Sequence, residues 1–170
     1  MSAAPELIKS LRVPVAALAL SAAAFVGLIQ REGYSDTAII PTKGDVATIG
    51  FGTTGGVKPG DKTTPVQAAV RALADSQQFE GAIKQCVRTP LHQAEYDAYL
   101  LLSYNIGSGA FCKSTLVREL NAGHYAAACD QILAWKMYQG TDCSKPNKIC
   151  GGIWQDRLKL HAMCQSVQSP

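Results

Sequence analysis

The sequence predicts an α+β domain, mainly helical, with a small β-hairpin lobe beside a helical lobe and an N-terminal apolar helix ahead of both. Three observations carry this reading. Two β-branched runs, Thr37–Pro41 and Val46–Phe51, flank a Thr42-Lys43-Gly44-Asp45 turn; a succession of capped helical segments follows Thr64; and an uncharged run from Val13 to Gln30 precedes everything. The 170 residues are the size of one domain, and a hydrophobic content of 47% is enough for a buried core.

The N-terminal run is a marginal membrane span. As a helix it reaches about 27 Å, just short of a typical hydrocarbon core. Its strongly apolar side chains (Val13, Val15, Leu18, Leu20, Phe25, Val26, Leu28, Ile29) sum to roughly −2.5 to −5 kcal/mol of insertion free energy, with Pro14, Ser21, Gly27 and Gln30 working against them. Lys9 and Arg12 ahead of the run predict a cytoplasmic N-terminus and an exported remainder. Four readings stand: a signal peptide cleaved at Ala22-Ala23-Ala24, a permanent anchor, a weak anchor that is later released, and a core helix of a soluble domain.

The hairpin is followed by a Gly- and Thr-rich loop ending at Pro59-Gly60. Thr64-Pro65-Val66-Gln67 is a capping box with proline at the first helical position. The recurrence of Val66, Val70 and Leu73 continues that helix to about Val87. Thr89-Pro90 opens the next, with Tyr96, Leu100 and Tyr104 on one side, and it stops before the Gly107-Ser108-Gly109 loop. Ser114 caps a short helix closed by Asn121-Ala122-Gly123; Tyr125 to about Tyr138 and Ile153 to about Met163 complete the helical lobe.

Composition narrows the chemistry. A net charge of +3 without a dense basic patch argues against nucleic-acid binding, and faintly favours an anionic surface. The cysteines at 86, 112, 129, 143, 150 and 164 show neither CxxC pairs nor zinc-finger spacing to histidine, so neither a metal nor a cofactor is expected. Their even number points to disulfides in an oxidising compartment. Of the possible pairings, Cys143–Cys150 is favoured because turn residues Ser144, Pro146 and Asn147 separate the two. Paired cysteines count against a thiol nucleophile at Cys86, and Gly107-Ser108-Gly109 is not a serine-hydrolase elbow.

The carboxylates of the hairpin region are Glu32, Asp36 and Asp45. Glu32 follows directly on an apolar helix, where desolvation raises a carboxyl pKa. Asp45 sits in a turn, where water and backbone donors keep it ionised. Two carboxyl groups held at different pKa values are what acid-assisted cleavage of a glycosidic bond needs.

Arg31-Glu32-Gly33 followed by Thr48-Ile49-Gly50-Phe51-Gly52-Thr53 resembles the phage lysozyme family, family 24 of the glycoside hydrolases. The similarity continues through Tyr96-Asp97-Ala98, Ser103-Tyr104-Asn105-Ile106-Gly107, Ser114-Thr115-Leu116, Leu120-Asn121-Ala122-Gly123, Trp135 and Gly152-Ile153 to Arg157, from about Arg31 to Cys164. The resemblance implies a lysozyme-like fold and a peptidoglycan muramidase. Glu32 would be its general acid, an Asp and Thr48 would position the attacking water, and Asn105 would contact an N-acetyl sugar. The family's spacing puts that Asp where Pro41 and Thr42 stand here, so Asp45 is assigned the role through a rearranged turn, with Asp36 and Thr42 as alternatives. Asn105 has a second reading as a helix cap, Thr48 as a packed strand residue, and Trp135 and Trp154 as core rather than sugar platforms. His92, His124 and His161 read as bystanders.

Cleavage after Ala24 would leave too little chain ahead of Glu32 for the helix that the family's acid ends. Release is therefore favoured over removal, and the arrangement resembles the signal-anchor-release endolysins: residues 1–30 as anchor, 31–170 as catalytic domain. With no cysteine before Cys86, refolding rather than thiol exchange would activate the enzyme. The implied partners are peptidoglycan strands and, through residues 13–30, the host inner membrane. The active form would be a monomer in the periplasm. Rival readings are a lytic transglycosylase and a non-enzymatic, membrane-tethered wall-binding protein.

Overall fold

The computed structural model describes residues 11–40 and 44–168. Its elements follow from local chemistry. Helix α1 (Ala22–Glu32) begins where the Ser21 hydroxyl accepts from the Ala24 amide at 3.1 Å and ends at Gly33, whose φ of 71° a side chain would resist. Strands β1 (Ser35–Ile39) and β2 (Thr48–Gly50) pair antiparallel, Ser35 opposite Gly50 and Ile39 opposite Thr48, with an irregularity between. The free edge of β1 is covered by residues 61–63: Ala38 donates to the Asp61 carbonyl at 2.8 Å and Thr63 to that of Asp36 at 2.9 Å.

Helix α2 (Pro65–Cys86) starts on the expected Thr64/Gln67 capping box. Helix α3 (Gln93–Ile106) starts where the His92 amide donates to Glu95 Oε2 at 2.8 Å and ends at Gly107. Short helices α4 (Ser108–Cys112), α5 (Thr115–Asn121, capped by Ser114) and α6 (Tyr125–Asp130) follow; a 3₁₀ turn (Gln131–Ala134) then leads to a two-residue ribbon, β3 (Met137–Tyr138) with β4 (Thr141–Asp142), and to helix α7 (Gly151–Gln165). The result is the mainly helical α+β architecture expected, with α3 at its centre. Every residue from Glu95 to Ser103 is buried, among Leu116, Leu120, Ile132 and Leu160 of neighbouring helices. Three disulfides staple this lobe: the expected Cys143–Cys150, and Cys86–Cys112 and Cys129–Cys164, which tie distant segments together.

Several expectations are corrected. The run 13–30 is not one helix in this structure. Pro14 opens a 3₁₀ turn (Val15–Ala17), the chain runs extended to Leu20, and Ser21 starts α1 afresh. Val15, Leu18, Ala24 and Leu28 join the hydrophobic core, and among the described residues no helix is long and apolar enough to cross a membrane. Helix α2 runs as its periodicity predicts, but the residues that carry the periodicity are not the ones it buries. Val66, Val70 and Leu73 are 74, 64 and 44% exposed, while Ala68, Ala72, Ser76 and Ile83 face inward. Close approach decides this. A Cβ on Gly50 would stand 2.7 Å from that of Ala68, so β2 lies directly on the helix and only small residues fit between.

Strand β1 begins and ends two residues earlier than its β-branched run, β2 is shorter than its run at both ends, and Pro41, Thr42 and Lys43 lie outside the described residues, as does Lys9. The Gly107–Gly109 stretch forms the start of α4 instead of a loop. The helix from Tyr125 does not reach Tyr138: α6 ends at Asp130, a 3₁₀ turn follows, and Met137 and Tyr138 form a ribbon whose tight turn places Gln139 and Gly140 at φ values of 46° and 80°.

Candidate active site

Glu32 closes α1 and projects against the turn that follows β2. That turn is tied by reciprocal backbone bonds between Ile49 and Thr53 (2.9 and 3.1 Å), and the buried Thr53 hydroxyl donates to Asp75 Oδ2 on α2 at 2.7 Å. Between them lies Gly52, at φ 86°. A Cβ there would come within 3.1 Å of Glu32 Oε2, so the glycine makes room for the acid. The Glu32 side chain keeps an exposed surface, open to a ligand, while enough protein stands around it to raise its pKa. Desolvation is the leading cause; Arg31 opposes it and Asp156 reinforces it. Across the turn, Tyr104 stacks on Phe79 with ring centroids 4.9 Å apart. Burial, then the charges of Asp75 and Glu32, push its phenol up to about 12, so it stays a neutral donor.

The helical side of the site is a chain of charge-assisted bonds. Arg31 pairs with Asp156, whose other oxygen accepts from Arg157 Nη1 at 2.9 Å. Arg157 is 3% exposed. Its Nε donates to the Trp135 carbonyl at 3.0 Å and its Nη2 to Asn105 Oδ1. Burial pulls the guanidinium pKa down, with Asp156 opposing. Asn105 is exposed within α3, and Gly107 forms the C-cap, so the cap reading of Asn105 does not hold. With Oδ1 held by Arg157, its amide NH2 makes no hydrogen bond among the described residues. Trp135 is partly buried against the core and borders a cavity of about 230 Å³ with Ser114, Thr115, Leu116, Gln131 and Ala134.

The hairpin side is sparser. Thr48 lies on β2 opposite Ile39 and its hydroxyl donates to the Val46 carbonyl at 3.3 Å. Two strand residues, about 7 Å, separate it from Gly50. Asp45 is exposed outside the strands, and no hydrogen bond joins either residue to Glu32. The Asp36 carboxylate accepts from Thr37, and Thr42 lies outside the described residues. His124 and His161 pair with Glu119 and Asp130 on the surface.

Sequence reasoning missed the Arg157 network and the Thr53–Asp75 tie. The first left a trace. Arg157, Leu160 and Cys164 are the buried positions of α7, a helical stripe in which an arginine is out of place unless it has partners. The second left none, because Thr53 and Asp75 meet only in the folded chain.

A desolvated carboxyl closing a helix, set against a glycine-lined turn in a helical lobe, defines a glycoside hydrolase of the lysozyme type. Residues 29–148 match the Phage lysozyme family, and the chain belongs to that family. It is 41% identical over 110 residues to the endolysin of Salmonella phage P22, covering 62% of this chain and 71% of that one. It is 37% identical over 114 residues to the SAR-endolysin of Pseudomonas phage phiKMV, covering 67% and 70%. Its fold is similar to that of the endolysin from Escherichia coli O157:H7 phage FAHEc1, with a TM-score of 0.75 at 26% identity over 94% of this chain and 99% of that one.

Proposed function

We propose that this chain is a phage endolysin that hydrolyses the β-1,4 bond between N-acetylmuramic acid and N-acetylglucosamine in peptidoglycan. The observation that carries the reading is the desolvated Glu32 carboxyl beside Gly52, protonated further toward neutrality than a free glutamic acid. Glu32 gives its proton to the bridging oxygen as the glycosidic bond breaks. A water positioned by Thr48 gives its proton to the Asp45 carboxylate and its oxygen to the anomeric carbon. The Asn105 amide, steadied by Arg157, holds a sugar. The enzyme acts as a monomer, without a metal, a cofactor or nucleic acid.

Turbidity clearing of permeabilised Gram-negative cells by wild type and Glu32→Gln tests the acid; equal rates would leave a wall-binding protein. The exposure of Asp45 favours one alternative, a lytic transglycosylase, which needs no water-activating carboxylate. Product analysis separates the two, since anhydro-sugar ends belong only to the transglycosylase.

The same reading extends to export. Residues 13–30 tether the chain to the host inner membrane in an inactive form and then leave it, so that residues 31–170 act in the periplasm. Support comes from the marginal apolarity of the run, from the core positions of Val15, Leu18, Ala24 and Leu28, and from the position of Glu32 on the helix this run completes. Moving a cation outward against an inside-negative potential costs about 2.3 kcal/mol per charge per 100 mV, so depolarisation is the trigger. Fractionation before and after an uncoupler tests it; protein that stays wholly in the membrane would refute release.

A further inference from the structure

The segment before α1 is strapped to the helical lobe by polar contacts, and their acceptors are carboxylates. Arg12 reaches Glu95 with two nitrogens: Nη2 to Oε1 at 2.8 Å and Nε to Oε2 at 3.1 Å. Its guanidinium also lies 3.6 Å over the Tyr125 ring and donates to Gln168 Oε1 at 2.9 Å. The Glu95 side chain is wholly inaccessible, and its remaining partners are the His92 amide and the Gln168 side chain; among the described residues Arg12 is the only cation bonded to it. Val13 exchanges two backbone bonds with Leu91 at 2.9 Å. The Leu20 amide donates to Glu80 Oε1 and the Ser21 amide to Asp97 Oδ1, each at 3.0 Å, while Gln93 bridges the Ala19 carbonyl and Asp97. Asp97 is 6% exposed.

These carboxylates would be poorly placed in a lobe that folded without the strap. A buried carboxylate stripped of its counter-ion is strongly destabilising, whereas the paired arrangement is tolerated. Glu95 and Asp97 lie at the start of α3, the helix whose other end carries Asn105. If the run 13–30 spans a bilayer with Arg12 on the inner side, Glu95 has no cation and keeps only the His92 amide and the Gln168 side chain, so burying its charge against the lobe costs more.

We infer that Glu80, Glu95 and Asp97 form an acceptor surface for the N-terminal segment of this same chain, closed by Arg12. While the chain is tethered, Arg12 is a positive charge that the membrane potential holds on the inner side. After release it is the counter-ion that lets buried Glu95 and α3 consolidate the active fold. The inference rests on the release reading and adds to it which residue senses the potential and which surface receives the segment.

The two partners predict opposite behaviour in one step and the same behaviour in the next. Arg12→Gln removes a charge that must cross, so more of the chain enters the periplasmic soluble fraction before any uncoupler is added. Glu95→Gln leaves the translocated charge unchanged and moves only on depolarisation, like wild type. Once released, both variants show lytic activity per molecule reduced about tenfold or more, the equivalent of one charge-assisted hydrogen bond. Arg12→Lys keeps the wild-type threshold and regains part of the activity.

Thermal midpoints of the purified full-length chains guard against simple misfolding, with Arg12→Gln/Glu95→Gln expected to be no less stable than either single variant. If wild type leaves the membrane but both single variants are released and lytic as wild type is, the clasp is overturned and release stands. If wild type itself never leaves the membrane, the release reading fails and takes the switch with it.

Discussion

The two walls of the site are built differently. The helical wall is held by a connected network: Arg157 is buried and contacts Trp135, Asn105 and Asp156, Asp156 holds Arg31, and Glu32 is the next residue in the chain. On the hairpin wall Asp45 is exposed and Thr48 bonds only a neighbouring carbonyl. The contrast follows from the task of each wall. An acid with a raised pKa needs fixed, water-poor surroundings, because its proton affinity depends on what surrounds it. A group that only receives a proton from water needs reach into the cleft more than fixed surroundings, so it tolerates a displaced turn. On the proposed mechanism, Glu32 is fixed by its neighbours in sequence and space while Asp45 reaches the cleft from an exposed turn.

The largest expected effect comes from the fixed wall. Glu32→Gln should lower turbidity clearing by about 10³-fold, within the usual span for a general acid. The same change should raise the thermal midpoint slightly at neutral pH. The raised folded-state pKa of Glu32 means the fold favours the neutral form; stability from that preference is complete below the unfolded pKa and is lost as pH rises through the folded one. Gln removes that loss, so stability gained at pH 7 should vanish near pH 4. By the same sign, wild-type activity should fall on the alkaline side as Glu32 ionises. A variant that stays active, or whose midpoint drops at neutral pH, would break the account of the fixed wall.

Next comes the exposed wall. Asp45→Asn should cost about 10²-fold in rate, with no loss of thermal stability because the side chain is exposed. Full activity in this variant would move the base elsewhere, with Asp36 first in line. Gly52→Ala should slow clearing roughly tenfold and move the pH optimum, since the added methyl meets the Glu32 carboxyl and the positive φ adds strain of about 1 kcal/mol. Arg157→Met should destabilise by about 3 kcal/mol in denaturant unfolding, by leaving the Trp135 carbonyl and Asn105 Oδ1 without their donor and Asp156 with Arg31 alone. The smallest effect is at Val70. On the exposed face of α2, Val70→Thr should change stability by no more than about 0.5 kcal/mol, where a buried apolar position would lose more.

Much of the fold and part of the site are legible in the residues. Capping at Thr64 and Ser114, the glycine stops at Gly107 and Gly123, the hairpin and the Cys143–Cys150 pair all act over a few residues, and all appear in place. Glu32 is legible for the same reason, since an acid at the end of an apolar helix announces a desolvated carboxyl. The recurrence of Val66, Val70 and Leu73 marks the helix, which runs to Cys86, but not the face that α2 buries. Only the approach of Gly50 to Ala68 reveals that small residues face inward.

Alone, the sequence determined what short-range physics governs: where most helices start, which carboxyl closes the first of them, and that the Val13–Gln30 run is only marginally apolar. Tertiary structure alone decided which faces meet, how Arg157 reaches Asn105 and Arg12 reaches Glu95, and how Thr53 ties the turn under the acid to Asp75. Those contacts join positions far apart in the chain, so no local spacing encodes them; they exist only once the core has brought the helices together and made burying each charge conditional on its partner.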